Sequence, residues 1–435
     1  MSKQIILVSL TCFIVVIKAL HDDLSEVNDW PKNRSAFGQL SAVDLDNNGN
    51  VVVFHRGNRI WDAETFSLNE VYRHIHDGPI PNDTILVFDA LDGTLKQSWG
   101  SNLFYLPHGL TVDFEGFVWL TDVALHQVFK FTPDGKTIIL NLGTKFVPGN
   151  DLKHFCKPTS VAVLANGDFF VADGYCNSRI IKYSSDGKMI LLWGTKNYGG
   201  MLGVYRNHYS LEIPHALAIL EDFQEVCVAD RENGRIVCYD SYNGTYTWAF
   251  SHPSIGSRLF SLAYAPVCGG QLYVVNGPVT NKNVSGFVIN KRTNNIVSQF
   301  GAGLKNPHDI AVSKNGSQVF VVELEPFKIH KYAKQIKHNQ TQILQGNDEQ
   351  LQKYFLDKWV ISSAVVLVVF ISFIVFIAMK VIKKRRDTTK DWIKPAMMDT
   401  MFRLHKLKDK QNIGHGFQRL KVNESDEDIG ATIDI

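Results

Sequence analysis

The chain contains 435 residues, of which 45% are hydrophobic and 20% are charged, and its formal net charge at pH 7 is +2. Such a composition supplies enough apolar side chains for a large core. Because acidic and basic residues nearly balance, there is no electrostatic basis for binding nucleic acid, and no nucleic-acid partner is expected.

The first 19 residues have the pattern of a secretory signal peptide. Lys3 precedes an uncharged apolar run from Ile5 to Ile17, which is short for a membrane span and typical of the hydrophobic part of a signal. We predict a signal peptide at 1–19, cleaved after Ala19. An uncleaved anchor is the alternative. A cleavage site usually has small residues at the last and third-last positions of the signal, and Ile17 at the third-last position is large.

A repeating unit of short strands occupies the region from 36 to 335. Apolar runs such as VVVFHRG at 51–57 and FVWLTD at 117–122 are separated by Gly, Asn and Asp, which is typical of strands joined by turns. Units of about 50 residues recur, a period typical of a β-propeller. They start at Leu40, Pro107, Pro158, Pro214, Ser261 and Pro307. We therefore predict an all-β fold, a six-bladed β-propeller at 36–335, with a five-bladed propeller as the structural alternative.

Three of these units begin with a Pro-His pair, in LPHGLTV, IPHALAI and NPHDIAV. The histidines are His108, His215 and His308, and the unit from Pro158 carries Thr159 instead. In a propeller, one position of the repeat lies at the same radius in every blade, so the three imidazoles should converge on the axis. Three neutral histidines with a fourth, open position form a catalytic zinc site. The alternative for each histidine is an ordinary residue that lines the channel.

Arg56, Tyr175 and Arg231 are the candidate partners of these histidines. Arg56 ends a strand and is placed to bind a carboxylate, and Tyr175 stands beside a cysteine that would fix its loop. Arg231 has the matching position in the next unit. The alternatives are a surface salt bridge for Arg56, simple packing for Tyr175, and an ion pair with Glu232 or Asp230 for Arg231.

Two acidic positions raise the question of a second cation. Asp309 directly follows the third histidine and has the chemistry to bind a hard cation. The stretch from Asp44 to Gly49 begins like an EF-hand calcium loop, but the twelfth position is His55 rather than Glu. We therefore expect a hairpin turn there.

The cysteines and sequons agree with an oxidising compartment. Cys156 and Cys176 are close in sequence, as are Cys227 and Cys238, which predicts two local disulfides. Cys268 is left over, and we expect it to be a buried free thiol. Six N-glycosylation sequons fit the same compartment. The candidate acceptors are Asn33, Asn82, Asn243, Asn283, Asn315 and Asn339.

Residues 360–379 form a run of 20 residues without a charge, long enough as a helix to cross the hydrocarbon core of a bilayer. Five basic residues follow within 380–386, which indicates that this flank is cytoplasmic. We predict a single-pass type I membrane protein of the secretory pathway, in the secretory vesicle, the Golgi or at the cell surface. The propeller would be lumenal or extracellular, followed by a lumenal stalk at 336–358, one transmembrane helix at 360–379 and a cytoplasmic tail at 380–435.

Long strings of this sequence resemble one known family. They include VVVFHRGNRIWD, TDVALHQVFKF, ADGYCNSRI and CVADRENGRI, and the similarity extends over residues 40–330. These strings are similar to those of peptidyl-α-hydroxyglycine α-amidating lyase, the second catalytic unit of peptide C-terminal amidation. The resemblance implies a six-bladed propeller of NHL-like repeats.

The same resemblance implies roles for individual residues. The zinc ligands that it implies are His108, His215 and His308. The ligands of a structural calcium ion would be the side chain of Asp309 and the backbone carbonyls of Val43 and Leu110. The active-site residues would be Arg56, Tyr175 and Arg231. The disulfides would be Cys156–Cys176 and Cys227–Cys238.

One residue departs from the family pattern. Asn306 stands before the third Pro-His pair, where the family has a methionine that lines the site. We expect this change to alter the packing of the substrate or the electronics of the metal, and to leave the set of metal ligands unchanged.

The resemblance also implies a reaction and a partner. A zinc-dependent lyase would cleave the C–N bond of a peptidyl-α-hydroxyglycine, giving an amidated peptide and glyoxylate during the maturation of neuropeptides and peptide hormones. The hydroxylated substrate would come from a separate peptidylglycine hydroxylating monooxygenase, and the lyase is expected to be a membrane-anchored monomer. The alternatives are a non-catalytic NHL-type propeller that binds partners at the cell surface, and a calcium-dependent propeller hydrolase.

Overall fold

The computed structural model describes residues 24–32, 37–196, 207–280 and 282–334, together with Lys380. The chain divides into two compact units, residues 1–336 and residues 337–435, and within the second unit only Lys380 is described. Among the described residues, no helix combines the length and the apolar character needed to cross a membrane. The predicted signal peptide, stalk, transmembrane helix and the tail after Lys380 lie outside the described residues.

The described part of the first unit contains six four-stranded antiparallel sheets, which are the blades of a propeller. Blade 1 contains β2 (Leu40–Leu45), β3 (Val51–His55), β4 (Ile85–Phe88) and β5 (Leu95–Trp99). Blade 2 contains β6 (Pro107–Val112), β7 (Val118–Asp122), β8 (Gln127–Phe131) and β9 (Ile138–Leu142). Blade 3 contains β10 (Ser160–Val163), β11 (Phe169–Asp173), β12 (Arg179–Tyr183) and β13 (Met189–Trp193).

The second half of the ring repeats this order. Blade 4 contains β16 (Pro214–Leu220), β17 (Glu225–Asp230), β18 (Arg235–Asp240) and β19 (Tyr246–Phe250). Blade 5 contains β20 (Leu259–Ala265), β21 (Gln271–Asn276), β22 (Gly286–Asn290) and β23 (Asn295–Phe300). Blade 6 contains β24 (Pro307–Val312), β25 (Gln318–Glu323), β26 (Ile329–Lys334) and β1 (Leu24–Glu26). A short parallel pair between blades 3 and 4 contains β14 (Thr195–Lys196) and β15 (Ser210–Leu211). Within the described ranges, 3₁₀ turns are formed by Ile75–Asp77, Glu221–Phe223 and Arg231–Asn233.

The first strand of each blade lies nearest the axis, and these six strands contact one another in a closed ring. The prediction of a six-bladed propeller is confirmed, and the five-bladed alternative is wrong. The second strand of every blade is buried along almost its whole length, with an apolar centre, as expected for a strand covered by neighbouring blades on both faces. The outermost strands are mostly exposed or partly buried.

The core is divided among the contacts between neighbouring blades. Six clusters of buried apolar side chains lie at the six blade–blade interfaces of the described ring. At the interface of blades 2 and 3, for example, Trp119 packs on Phe169 with ring centroids 4.5 Å apart. Because every blade is held by two such clusters, the repeats form one closed unit that needs no central core.

Blade 6 is built from both ends of the domain. Leu24–Glu26 pairs with the last strand, placing Leu24 opposite Lys334 and Glu26 opposite Tyr332. The Glu26 carboxylate also accepts hydrogen bonds from Lys328, at 2.9 Å, and from His330, at 2.8 Å. The predicted start of the propeller at residue 36 therefore omits a strand, since this short polar segment has no apolar run to mark it.

A buried histidine in blade 2 makes the fold sensitive to acid. His126 has no exposed surface, and its Nδ1 accepts the backbone N–H of Lys157 at 3.0 Å, so the ring is neutral. Burial, reinforced by the charge of Lys157, lowers the pKa of His126 to about 4. An imidazole with a lowered pKa stabilises the fold above its ordinary pKa, and this contribution is lost as the pH falls from about 6.5 towards about 4.

We predict that acid weakens the wild-type fold more than a His126→Asn variant. Asparagine keeps an acceptor and tolerates the left-handed backbone of this position, where φ is 55°, but it does not titrate. His126 alone should remove up to about 3 kcal/mol of unfolding free energy over the full pH range. Denaturant titrations at about pH 7 and about pH 5 measure the difference. His76→Asn, at an exposed histidine, is the control, and an equal acid response of wild type and His126→Asn would contradict the prediction.

Candidate metal centre and active-site cleft

The three predicted histidines lie at one equivalent position in alternate blades. Each is the second residue of the strand nearest the axis, in blades 2, 4 and 6. At each of them the pairing register with the next strand shifts, which turns the side chain out of the regular alternation. The three rings converge, with centroids 4.7 to 4.9 Å apart.

The blades between them orient the rings. The Nδ1–H of His108 donates to the Thr159 carbonyl at 2.8 Å, and that of His215 donates to the Phe260 carbonyl at 2.7 Å. The Nδ1–H of His308 donates to the Ser41 carbonyl at 2.6 Å. Since a carbonyl can only accept, each Nδ1 carries the proton and each Nε2 is unprotonated, with a lone pair that can bind a metal ion.

This arrangement fits a metal ion. The three histidines are almost fully buried, and their ligand atoms lie within 4.8 Å of one another. Burial lowers the pKa of all three, that of His308 to about 3, so the imidazoles stay neutral and can act as ligands. Metal-binding histidines usually donate their other ring N–H to a carbonyl or a carboxylate, which fixes the tautomer and orients the ring. Three such ligands with room for a fourth match an open zinc site.

Tyr175 and Arg231 lie directly against this cluster. The Tyr175 hydroxyl is 2.9 Å from Nε2 of His108 and 3.3 Å from Nε2 of His215. A guanidinium N–H of Arg231 donates to the same hydroxyl at 3.4 Å. The loop of Tyr175, between β11 and β12, is held by the neighbouring disulfide of Cys176. Burial raises the pKa of Tyr175, against the opposing charges of Arg231 and Arg56.

Arg56 is a buried cation without a carboxylate partner among the described residues. Its side chain is 1% exposed; Nε donates to the Pro107 carbonyl at 2.9 Å, and one terminal nitrogen donates to Gln39 at 2.7 Å. The other terminal nitrogen has no partner. Burial lowers the pKa of Arg56 to about 10, which still leaves it charged at neutral pH. The predicted alternative of a surface salt bridge is wrong for this residue.

A cleft of about 370 Å³ opens over these groups. It is lined by Gln39, Arg56, Trp61, Tyr175, Arg231, Phe260, Asn306, His308, Leu324 and Glu325. Trp61 was not predicted as a site residue, yet its ring lies 4.7 Å from that of Tyr175 and its centroid is 5.4 Å from Cζ of Arg56. The sequence pattern that could have indicated Trp61 is a large aromatic residue five positions after the arginine that ends a strand. Asn306 lines the cleft as predicted, and its backbone N–H donates to Glu323 at 2.8 Å.

The histidines also line the axial channel, a cavity of about 220 Å³ that contains the residues predicted to hold calcium. The Asp309 carboxylate accepts the backbone N–H of Val43 at 3.0 Å and the hydroxyl of Ser261 at 2.5 Å, and Leu110 lines the same cavity. Burial raises the pKa of Asp309 to about 7 and that of Asp44 to about 6. Two carboxylates in a buried channel fit a hard cation. Asp44 was missed because its stretch was interpreted only as a hairpin turn.

The two predicted disulfides are confirmed, and the sequons are at the surface where they are described. Cys156 is bonded to Cys176 and Cys227 to Cys238. Cys268 is free, as predicted, but it is only partly buried. Four candidate acceptors are exposed, namely Asn82, Asn243, Asn283 and Asn315. Asn33 and Asn339 lie outside the described residues.

Comparison with known proteins places the chain in a family. The NHL repeat model matches residues 155–183. Peptidyl-alpha-hydroxyglycine alpha-amidating lyase 1 of Drosophila melanogaster is 49% identical over 319 residues, covering 70% of this chain and 59% of the relative. Lyase 2 of the same organism is 43% identical over 304 residues, covering 68% of this chain and 71% of the relative. The chain belongs to the peptidyl-α-hydroxyglycine α-amidating lyase family.

Coverage differs among the members of the amidating lyase family and the proteins related to it. The chain matches less than two thirds of the length of lyase 1 and more than two thirds of lyase 2. Peptidyl-glycine alpha-amidating monooxygenase B of Xenopus laevis is 43% identical over 319 residues, which cover 71% of this chain but 35% of that protein. The similarity to the monooxygenase is therefore limited to about a third of its length.

Proposed function

We propose that this protein is a zinc-dependent lyase that cleaves the C–N bond of peptides ending in α-hydroxyglycine. The products would be a C-terminally amidated peptide and glyoxylate. The observation that carries the proposal is the buried guanidinium of Arg56, which has a terminal nitrogen without a partner and lines one cleft together with the phenol of Tyr175 and with His308, a member of the histidine trio. A substrate with a carboxylate next to a hydroxyl-bearing carbon matches that set of groups.

The substrate carboxylate is assigned to Arg56, because a buried cation with a free donor favours an anionic group. A zinc ion held by the three imidazoles would lower the pKa of the substrate hydroxyl. Tyr175 would accept the hydroxyl proton and return it to the amide nitrogen as the C–N bond breaks and the C–O bond becomes a carbonyl. One proton is moved and no water is consumed, so the reaction is an elimination.

The role of Tyr175 needs a positive environment. A cationic neighbour favours the phenolate, but burial outweighs the charges of Arg231 and Arg56 and raises the pKa of Tyr175. The phenol oxygen lies within 3.3 Å of two of the imidazole Nε2 atoms. We therefore assign the missing positive charge to the cation that these imidazoles would hold, since an opposite charge at this range favours the ionised form.

A structural calcium ion is proposed for the axial channel. Its ligands would be the Asp309 carboxylate and the carbonyls of Val43 and Leu110, and the second carboxylate, Asp44, adds negative charge to the same cavity. The raised pKa values of both carboxyl groups reflect burial without a compensating charge. Binding a cation would relieve that cost.

We further propose that the substrate is supplied by a separate peptidylglycine hydroxylating monooxygenase. The relatives that carry the monooxygenase name match this chain over only about a third of their length, which supports a division of the two reactions between units. From the sequence alone, we also propose that the protein is a monomer anchored by one transmembrane helix. Its propeller would lie in the lumen of the secretory pathway or outside the cell.

Glyoxylate release from a short peptidyl-α-hydroxyglycine tests the proposed reaction. We expect turnover well above the spontaneous rate, loss of turnover with a chelator, and recovery with zinc. Bound zinc without turnover would contradict the lyase assignment while keeping the metal site. An absence of both would favour the non-catalytic NHL-type binding module, and calcium-dependent hydrolysis of an ester or lactone probe without glyoxylate release would favour the hydrolase-type alternative.

A further inference from the structure

Arg231 is held in a narrow slot beside the reactive phenol. Its Cζ lies 5.3 Å from the ring centroid of Tyr175 and 5.1 Å from that of Phe260, so the guanidinium is placed between two aromatic rings. Only one terminal nitrogen, NH1, is directed at the phenol oxygen, at 3.4 Å. The position of this nitrogen depends on how the rest of the guanidinium is held.

Glu232 holds the other side of that guanidinium. One carboxylate oxygen, Oε1, accepts from Nε of Arg231 at 2.9 Å and lies 2.9 Å from its NH2. The second oxygen, Oε2, accepts from Nε of Arg258 at 2.9 Å. The side chains of Arg231 and Glu232 are 14% and 20% exposed, whereas that of Arg258 is 44% exposed. The inner pair is thus shielded and the outer arginine is solvated.

The backbone under this pair is fixed. Arg231 and Glu232 occupy a 3₁₀ turn that ends at Gly234, where the left-handed backbone closes the turn. The backbone N–H of Arg231 donates to Ile213 and that of Glu232 donates to Glu212, both at 3.1 Å. These acceptors lie just before the Pro214-His215 pair, so the turn is tied to the strand that carries a metal-site histidine.

We propose that Glu232 is a positioning residue that aims NH1 of Arg231 at the Tyr175 hydroxyl. This inference rests on the proposed lyase function. An arginine side chain has many rotamers, and a carboxylate that binds the Nε edge leaves NH1 as the nitrogen that faces the reacting group. Glu232 itself does not touch the substrate in this assignment. It acts through Arg231. Without Glu232, the charge of the guanidinium would remain near Tyr175, but NH1 would no longer be directed at the hydroxyl.

A double-mutant cycle tests the proposal. Glu232→Ala should lower kcat on the order of 10- to 100-fold, as expected for misplacing a group at a reaction centre, with a smaller change in KM. Glu232→Gln, which keeps the shape and one acceptor, should fall between wild type and Glu232→Ala and covers the case in which alanine disturbs the turn. Arg231→Ala combined with Glu232→Ala should be no slower than Arg231→Ala alone, because Glu232 then has nothing to orient.

Arg258→Ala is the matched control. It removes the solvated partner of Glu232 while leaving the inner pair intact, so its kcat should stay within about 2-fold of wild type. Zinc content and melting temperature should be unchanged in Glu232→Gln, which separates positioning from folding. Effects of Glu232 and Arg231 that multiply in the double variant would overturn the inference, as would a Glu232→Gln variant with wild-type kcat. An inactive wild type would instead overturn the proposed function, and the positioning role with it.

Discussion

His215→Ala lowers glyoxylate release by at least about 10³-fold, the scale expected when the central group of a catalytic site is lost. No other ligand can replace the lost imidazole, because among the described residues His108, His215 and His308 form the one candidate metal group made only of histidine nitrogens. With two ligands left, the affinity for zinc falls as well. Metal analysis of the purified variant beside the glyoxylate assay measures both consequences.

His252→Ala is the control for this prediction, since it removes an exposed histidine on the outer part of blade 4 and should leave turnover unchanged. Restoring zinc in excess should recover only a small fraction of the activity of the alanine variant. A variant at position 215 that keeps a full equivalent of zinc, or that turns over at the wild-type rate, would show that the histidine trio is not the metal centre.

The second large effect concerns Arg56, whose replacement should lower turnover without destabilising the fold. Arg56→Met should lower turnover on the order of 10²- to 10³-fold, because it removes the group assigned to the substrate carboxylate. The same change should leave the unfolding free energy within about 1 kcal/mol of wild type or raise it, because burying an unpaired cation is costly and methionine fills a similar volume. The hydrogen bonds lost to Gln39 and Pro107 offset part of that gain.

Turnover and denaturant unfolding, measured on the same preparation, give the two quantities for Arg56→Met. Arg59→Met is the matched control: it lies three positions along the chain, and its partly buried side chain pairs with the half-exposed Asp77 and does not line the cleft, so turnover should be retained. Loss of both activity and several kcal/mol of stability would show that Arg56 serves the fold. Full turnover in Arg56→Met would remove Arg56 from the mechanism.

The repeat made the metal centre predictable from sequence. A propeller places equal repeat positions at equal radius, so three Pro-His pairs were sufficient to bring His108, His215 and His308 together. The carbonyls that orient them were not predictable in the same way. They come from Ser41, Thr159 and Phe260, whose side chains share no chemistry, and a backbone acceptor leaves no mark in the sequence.

Burial was the other quantity that the sequence did not supply. Arg56 ends a strand and could equally have been a solvated residue, and only the packing of blades 1 and 2 places it 1% exposed. Tyr175 stands beside two arginines, but whether their charge or desolvation prevails depends on how much water the cleft excludes. The sequence showed that Glu232 is a neighbour of Arg231. It did not show that one carboxylate oxygen binds Arg231 and the other binds Arg258.

The closure of the ring by Leu24–Glu26 has a consequence for biosynthesis. This strand pairs with the last strand of the domain, about 300 residues later, and a ribosome adding about 5–20 residues per second needs roughly 15–60 s to make that distance. The first strand to be synthesised, Leu24–Glu26, therefore stays unpaired until the last strand of the domain has been made. The five complete blades can form in order during synthesis, while the sixth can close only once the chain has emerged through Lys334.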